Sequence, residues 1–417
     1  MTEQERIEKN LRIKEAISAT RTKRASQTCR VVTVKIQENK LNKVQEEFLK
    51  MCFVEAKWLY NHILRLSNDG SSVFNLKYTD IESVIHLDKD KNEIESRIEK
   101  LSSQMRQNVL QGVHQNIKSL SASRLKGNKV GSLRFISDYN SIDLKQHNVS
   151  YKIVSQNKVK VQGCKKPFKV NGLKQLKAYG EYELANAKLI KKPSGYYIAF
   201  TIYTEKKENN HNKEKIGIDM GCQTSITMSD GSKINCLVGE SERLKKLQRK
   251  LEKSKKGSNN RWKIRKEIQL EYERMSNKKN DAANKICHYL RDYQVYMQDE
   301  QLSLWKIKHG KKVQHSILGR VKKWLMEQND TVVLNKFVPT SKFCRHCGGI
   351  HHDLTVKDRI FICPHCGHEG DRDVHAAENM LWIGENIVGV GRTDFKRVEF
   401  DAQVSDIMKH EVAKSLA

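Results

Sequence analysis

The chain has 417 residues with 77 Lys and Arg against 49 Asp and Glu, which gives a formal net charge of +28. A charge of this size indicates a polyanionic partner, because counterion release drives the binding of basic surfaces to nucleic acid, and it exceeds what solubility requires. No apolar run reaches the length of a membrane span and the N-terminus is highly charged, so we expect a cytoplasmic protein with no membrane partner.

The first 28 residues are polar with a weak helical stripe, which predicts a solvated arm or a helix that orders on a partner. A β-strand is expected at 30–36, where β-branched residues dominate. Apolar residues then recur near helical spacing, in one block at 42–67 and a second at 78–125. We interpret 41–125 as a helical insertion, either a nucleic-acid recognition lobe or a structural bundle.

The segment 126–207 returns to strand patterns in which basic and apolar residues alternate, for example at 132–136. With residues 29–40 it predicts a small antiparallel β-barrel, a wedge-like domain that the helical insertion splits. Its basic face could bind RNA or duplex DNA, or it could be an ordinary solvated surface. The polar residues 208–214 are interpreted as a linker to the second half of the chain.

The second half opens with Ile-Gly-Ile-Asp-Met-Gly at 216–221, which predicts a central strand that ends in Asp219. A hairpin turn follows at 229–232. A strand that ends in aspartate and leads into a hairpin is how ribonuclease-H-like folds begin, although buried aspartates at strand ends also cap turns.

Residues 240–293 are helical in pattern and strongly basic, with fifteen Lys and Arg against five Glu between positions 241 and 280. This predicts a helical hairpin with an apolar face and a basic face that can contact phosphates. A solvated charged face is the alternative for any single residue. The candidate nucleic-acid contacts are Arg261, Lys263, Arg265, Lys266 and, further along the chain, Arg372.

A strand is expected at 293–298, and it leads into Asp299 and Glu300. Side chains alternate along a strand, so Gln298 and Glu300 should share one face. Either Asp299 or Glu300 could reach the same metal site as Asp219. After these acids the pattern predicts a polar loop, a helix and another strand, in the order 306–314, 316–328 and 331–338.

Four cysteines follow that strand as two CxxC pairs with fifteen residues between them: Cys344, Cys347, Cys363 and Cys366. This spacing predicts a zinc ribbon that binds one structural Zn²⁺, because two short knuckles supply a tetrahedron of thiolates. A glycine after each pair fits turns that need a positive φ. Two disulfides are the alternative, although a reducing compartment favours metal.

Asp373 lies seven residues after the last cysteine, in an acidic segment where a helix is expected to begin. Cleavage of a phosphodiester needs an activated water and a stabilised leaving oxygen, which two Mg²⁺ ions about 4 Å apart provide. Mg²⁺ prefers hard oxygen ligands, so Asp219, Asp373 and one acid of the pair Asp299 and Glu300 are the candidate ligands. The sequence contains neither a P-loop nor a GxSxG motif.

The order and spacing of four motifs, at 217–221, 297–302, 340–347 and 371–380, resemble the RuvC-type nuclease half of TnpB proteins and miniature type V-F CRISPR effectors. The resemblance is specific over about 215–388. Over 30–207 only the general layout is similar, a barrel split by a helical lobe.

This resemblance implies a multi-domain α+β fold: a split β-barrel with a helical insertion, then a ribonuclease-H-like (RuvC) α/β nuclease domain. The nuclease domain would comprise 215–340 and 369–388, with the zinc ribbon inserted at 341–368 and an unassigned tail at 389–417. The implied activity is RNA-guided, Mg²⁺-dependent cleavage of double-stranded DNA next to a short flanking motif.

By motif position, Asp219 is implied as the first catalytic carboxylate and Asp373 as the third. The family pattern has a strand that ends in Glu-Asp-Leu where this chain has Gln298, so Glu300 is assigned as the second, with Asp299 as the alternative. The implied partners are a guide RNA and target duplex DNA. Miniature effectors tend to form a homodimer on one guide, whereas TnpB acts as a monomer.

Two other functions stay open from the sequence. The departure at Gln298 is compatible with a guided DNA-binding protein or repressor whose nuclease site is degenerate. The zinc ribbon and the basic charge are also compatible with an RNA-independent DNA-binding protein of a mobile element.

Overall fold

The computed structural model describes residues 2–388, apart from 69–72, 89, 91, 207–212, 222–223, 236, 329 and 356. The tail assigned to 389–417 and most of the linker assigned to 208–214 therefore lie outside the described residues. The chain divides into two compact units, Met1–Lys207 and Glu208–Ala417. Within the described ranges, no helix has both the length and the apolar character needed to cross a membrane.

The first unit contains three α-helices and nine β-strands among its described residues. The helices are α1 (Glu3–Ala25), α2 (Lys43–Asn68) and α3 (Ser103–Leu125). The strands are β1 (Gln27–Ile36), β2 (Ser83–Leu87), β3 (Glu93–Arg97), β4 (Ser141–Leu144), β5 (Tyr151–Ser155), β6 (Lys158–Val161), β7 (Phe168–Asn171), β8 (Glu183–Lys192) and β9 (Gly195–Glu205).

Seven of these strands form an antiparallel sheet in the order β4-β8-β9-β1-β7-β6-β5. Tyr151 on the end strand β5 donates to Ala185 O of β8 at 2.7 Å, and its ring lies 5.5 Å from that of Phe200 on β9. The sheet therefore curls until one end packs over its middle. The described pairings leave β4 and β5 at opposite ends, so the small antiparallel β-barrel predicted from the sequence takes the form of an open, curled sheet.

The helices and the sheet of this unit share one hydrophobic core. Phe48 and Leu49 of α2, Met105 of α3 and Phe168 of β7 are all buried in the same cluster. The helical insertion is thus packed on the sheet. By contrast, α1 buries none of its side chains; at its C-terminal end Arg24 lies 3.7 Å above the ring of Tyr203.

Two sequence predictions in this unit were wrong. The helical block expected from 78 begins with the hairpin β2–β3, where Asp88 accepts hydrogen bonds of 2.8 Å from the backbone of both Asp90 and Asn92. These bonds stabilise the turn, and apolar residues that fitted a helical spacing, such as Ile85 and Ile94, lie instead in a two-stranded sheet. The segment 132–136 forms no strand, because it lies outside every ladder that the described residues make.

The second unit contains five α-helices and seven strands among its described residues. The helices are α4 (Glu242–Lys253), α5 (Asn259–Tyr289), α6 (Leu302–His315), α7 (Leu318–Met326) and α8 (Arg372–Ile383). The strands are β10 (Glu214–Met220), β11 (Ile226–Met228), β12 (Lys233–Ile234), β13 (Tyr293–Gln298), β14 (Val332–Leu334), β15 (Ile360–Ile362) and β16 (Glu369–Asp371).

Five strands of this unit form a mixed sheet in the order β12-β11-β10-β13-β14. The strands β10, β11 and β12 pair antiparallel, whereas β13 is parallel to β10, and β14 to β13. Helices α5 and α7 contribute to the core on β10 and β13. The apolar residues of β10, which are Ile216, Ile218 and Met220, pack in this core, and Gly217 on the opposite face lies against α8.

Two further predictions needed correction here. The polar loop expected at 306–314 belongs to α6, whose backbone is non-helical at His309 (φ −127°). Lysine and glutamine are good helix formers, so a polar composition does not by itself indicate a loop. The strand expected at 331–338 ends at Leu334, and the chain then turns towards the cysteine segment.

Gly217 allows α8 to lie directly against β10. A Cβ built at this position would stand 1.9 Å from Ala377 O of α8, a distance that only a shift of the backbone could relieve. We expect Gly217→Ala to destabilise the second unit by about 3 kcal/mol through overpacking. Denaturant unfolding should show this loss, whereas Gly239→Ala, where a Cβ has open space, should unfold like the wild type.

Candidate active site

Asp219 lies near the C-terminal end of the central strand β10. Burial, followed by the negative charges of Asp373 and Glu300, raises its pKa from 3.8 to about 8, while the positive charge of Arg372 acts in the opposite direction. The structure therefore brings together carboxylates from three separate elements. Repulsion between neighbouring carboxylates is unfavourable unless a cation binds between them, so this cluster is a candidate cation-binding site.

The second acidic segment leaves the same edge of the sheet, because β13 pairs parallel to β10 with Ile218 opposite Met297. Glu300 is partly buried, and burial raises its pKa. Asp299 is directed elsewhere, since its carboxylate accepts a 2.6 Å hydrogen bond from Lys322 Nζ. The charge of Glu300 also raises the pKa of Asp219, so Glu300 stays the predicted second carboxylate.

Gln298 has a structural role in this arrangement. Its amide nitrogen donates to Asn335 O (3.0 Å) and Val338 O (2.7 Å), and its amide oxygen accepts from Thr340 Oγ1 (3.0 Å). The strand ends here, and Glu300 N–H donates back to Gln298 O at 2.9 Å. The prediction that alternation places these two side chains on one face was therefore wrong, because the backbone turns between them.

Asp373 lies in the first turn of α8, which Asp371 caps by accepting from the backbone of Asp373 and Val374. Two guanidinium groups reach its carboxylate, Arg372 at 3.0 Å and Arg359 at 3.8 Å. Arg372, predicted as a nucleic-acid contact, therefore lies inside the acidic cluster. Its guanidinium also donates to Thr355 O at 3.1 Å.

The donor set of this cluster fits divalent magnesium. Asp219, Glu300 and Asp373 offer hard carboxylate oxygens, and their mutual repulsion is the feature that a bound cation would relieve. The arginines beside Asp373 provide partial neutralisation in the protein alone.

The four cysteines form one compact cluster whose sulfurs all lie within 4.8 Å of one another. Two of the separations are 3.7 Å (Cys344 to Cys366) and 3.5 Å (Cys347 to Cys363). A tetrahedron with Zn–S bonds of about 2.3 Å needs sulfurs about 3.8 Å apart, so the cluster fits a zinc ion. The glycines after the pairs have φ of 75° and 73°, as the sequence predicted.

Helix α8 holds this cysteine cluster through contacts that the sequence prediction missed. His375 Nε2 and Asn379 Nδ2 both donate to Phe343 O, at 2.7 and 2.6 Å, immediately before the first cysteine. Arg345, between the first two cysteines, pairs with Glu378 at 2.5 Å. Burial lowers the pKa of His375 to about 4, so its ring is neutral at physiological pH. The available signal was two polar residues four apart on an otherwise apolar helix face.

The predicted basic contacts on α5 divide into two kinds. The guanidinium of Arg261 donates to Leu251 O and Ser254 O at 2.6 and 3.0 Å, so it stabilises the end of α4. This is a structural contact, and the nucleic-acid contact expected for Arg261 stays a prediction. Lys263, Arg265 and Lys266 are exposed.

Comparisons with known proteins agree with the order of these elements. Residues 198–309 match the family model described as "Probable transposase" (OrfB_IS605), and residues 322–380 match "Cas12f1-like, TNB domain". A "Putative RNA-guided DNA endonuclease" of Streptomyces pristinaespiralis is 31% identical over 183 residues, which is 40% of this chain. The chain spans only 45% of that relative's length.

A solved structure, the cryo-EM structure of a Cas12f1-sgRNA-target DNA complex, aligns with 85% of this chain and 99% of its own. Its sequence identity is 13% and the TM-score is 0.24, too low for the overall arrangement to support an argument. The two family models match segments that contain Asp219, Glu300, the four cysteines and Asp373. Two segments of the chain are thus similar to a transposase family and to the TNB domain of Cas12f1-like proteins, and together they make up less than half of its length.

Proposed function

We propose that this protein is an RNA-guided endonuclease that cleaves double-stranded DNA next to a short flanking motif in a RuvC-type site. The observation that carries the proposal is the convergence of Asp219, Glu300 and Asp373, from three distant parts of the chain, on one site. The central strand that ends in Asp219 and leads into an antiparallel hairpin supports a ribonuclease-H-like domain.

In this proposal the three carboxylates hold divalent magnesium ions. When bound, two such ions supply an activated water and stabilise the leaving oxygen of the scissile phosphate. The protein contributes position: β10 fixes Asp219, the turn after β13 fixes Glu300, and the first turn of α8 fixes Asp373. Arg372 lies against Asp373 and is placed to contact a phosphate of the substrate strand.

The proposed partners are a guide RNA, which pairs with the target strand, and the target duplex. The net charge of +28 supports them, since the protein must neutralise many phosphates of both nucleic acids. One structural Zn²⁺ in the cysteine cluster would fix the segment that leads into α8.

The test is a cleavage assay on protein purified together with its RNA. We expect the RNA to copurify, its sequence to identify a matched target, and Mg²⁺ to start cleavage of that duplex. Ribonuclease treatment should abolish cutting. Sequence-independent duplex binding that survives ribonuclease, without any cutting, would instead favour the RNA-independent DNA-binding protein.

Lys322 on α7 is a positioning residue for the second carboxylate. Its ammonium donates at 2.6 Å to both Asp299 Oδ1 and Glu300 O, which fixes the turn after β13. We expect Lys322→Met to lower kcat about tenfold and to raise the Mg²⁺ concentration for half-maximal cleavage, with partial rescue in Lys322→Arg. Lys323→Met is the matched control, because the ion pair that Lys323 makes within the described part of the chain is a 3.9 Å contact with Glu327 on an exposed face. Equal kinetics in the two methionine variants would contradict this role.

A further inference from the structure

One face of α5 presents a tryptophan to solvent. Trp262 has 64% of its surface exposed, whereas the chain's other four tryptophans are each at least partly buried. The opposite face of the helix is buried, because its Ile264, Ile268 and Met275 pack on Leu244 and Leu247 of α4. The exposure of Trp262 is thus a consequence of where the helix buries its apolar side.

The surroundings of this tryptophan are cationic. Lys263, Arg265 and Lys266 lie within one helical turn of it, and among the described residues none of them has a carboxylate within ion-pair distance. Lys266 Nζ stands 5.8 Å from the centre of the indole ring. The preceding loop adds Lys255 and Lys256, which are exposed as well.

Other cations of the α4–α5 hairpin do have partners within the protein, which distinguishes them from those beside Trp262. Three arginines stabilise the hairpin itself. Arg261 caps α4, and Arg243 and Arg274 both pair with the buried Glu271. Within the ranges that the structure describes, Lys263, Arg265 and Lys266 make no such contact, so they are available to a ligand.

An exposed indole among unpaired cations fits a single strand of nucleic acid better than a duplex. An unpaired base offers a free π-face on which an aromatic ring stacks, while cations follow the backbone phosphates. The bases of a duplex already stack on one another and offer the cations only phosphates. An acidic protein surface would satisfy the cations but would not use the ring face.

We propose that Trp262, flanked by Lys263, Arg265 and Lys266, is a base-stacking site for an unpaired segment of RNA or DNA. This proposal rests on the proposed function, since a guided nuclease holds both an RNA and a displaced DNA strand. It adds a residue, Trp262, that distinguishes single-stranded from double-stranded nucleic acid. The site acts through binding and takes no part in the chemistry.

The experiment uses full-length zinc-loaded protein with Asp219→Asn and no added Mg²⁺, so that binding is measured whether or not the protein cuts. Fluorescence anisotropy gives its affinity for a labelled uridine or thymidine homopolymer and for a blunt duplex of equal length. We expect Trp262→Ala to weaken single-strand binding about tenfold, Trp262→Phe to weaken it little, and duplex binding to stay within twofold.

The RNA and DNA homopolymers show which strand the site prefers. Tyr289→Ala is the matched control, because Tyr289 is an exposed aromatic (44%) on the same helix whose ring packs 5.5 Å from that of Tyr293. Unchanged thermal midpoints establish that the variants fold. The proposal is overturned if Trp262→Ala leaves single-strand binding intact, or if it weakens duplex binding equally.

Discussion

Asp219→Asn should abolish guided cleavage while leaving RNA binding intact. The substitution keeps the size of the side chain and removes the charge that would hold a divalent ion at the centre of the acidic cluster. Since a metal ion supplies several kcal/mol of transition-state stabilisation, we expect the rate to fall by about a thousandfold or more. Single-turnover cleavage with matched duplex and Mg²⁺ measures the fall, and the yield of copurified RNA is the control.

The same variant should gain stability in the absence of Mg²⁺. A carboxyl whose pKa rises from 3.8 to about 8 on folding binds a proton that the unfolded chain has released. Stability therefore falls as the pH rises between these values, and the loss is complete above the folded pKa. Asparagine does not ionise, so Asp219→Asn should be more stable than the wild type above pH 8, by about 1–3 kcal/mol, with no difference near pH 4.

Denaturant unfolding of the zinc-loaded protein at the two pH values gives this difference. Loss of cleavage together with a gain in stability is the signature of a residue kept for function. A variant that is less stable than the wild type at every pH would show instead that Asp219 is a structural residue.

Loss of the metal at the cysteine cluster should be the second large effect. Cys366 is exposed, so Cys366→Ser removes a thiolate without disturbing a core. Structural zinc binding in small domains is worth about 10–16 kcal/mol, which the cluster would lose together with its geometry. Phe343 would then no longer be fixed against His375 and Asn379, and Asp373 two residues before His375 would lose its position.

We expect Cys366→Ser to contain little zinc, to lose amide-exchange protection at 343–371, and to cleave at least tenfold more slowly. Cys29→Ser is the matched control, because Cys29 is an exposed thiol outside the cluster. Full zinc content and full activity in Cys366→Ser would contradict the assignment of this cluster as a structural metal site.

The local chemistry of the site could be predicted from sequence because it depends on short motifs. The CxxC spacing and its two glycines fix the knuckles whatever surrounds them, and the strand that carries Asp219 has buried apolar residues at alternate positions. The placement of Glu300 near Asp219 could not be predicted from a motif alone, since it depends on parallel pairing of two strands that a helical hairpin separates.

What the sequence did not reveal depends on packing between distant residues. The hydrogen bonds from His375 and Asn379 to Phe343 O correspond to no periodic pattern in the sequence. The close packing of Gly217 against Ala377 corresponds to none either. Arg261 carries the same charge as its neighbours, so only its partners on α4 distinguish it as structural. The hairpin β2–β3 was hidden because its apolar spacing also fits a helix.

The central claim is that Asp219, Glu300 and Asp373 together bind divalent cations. Its most direct measurement is the amount of Mn²⁺ bound, followed by its electron paramagnetic resonance signal, in the zinc-loaded complex with RNA. The account predicts that Asp219→Asn and Asp373→Asn each bind fewer ions than the wild type in the same RNA complex. Equal Mn²⁺ binding in all three proteins would contradict it.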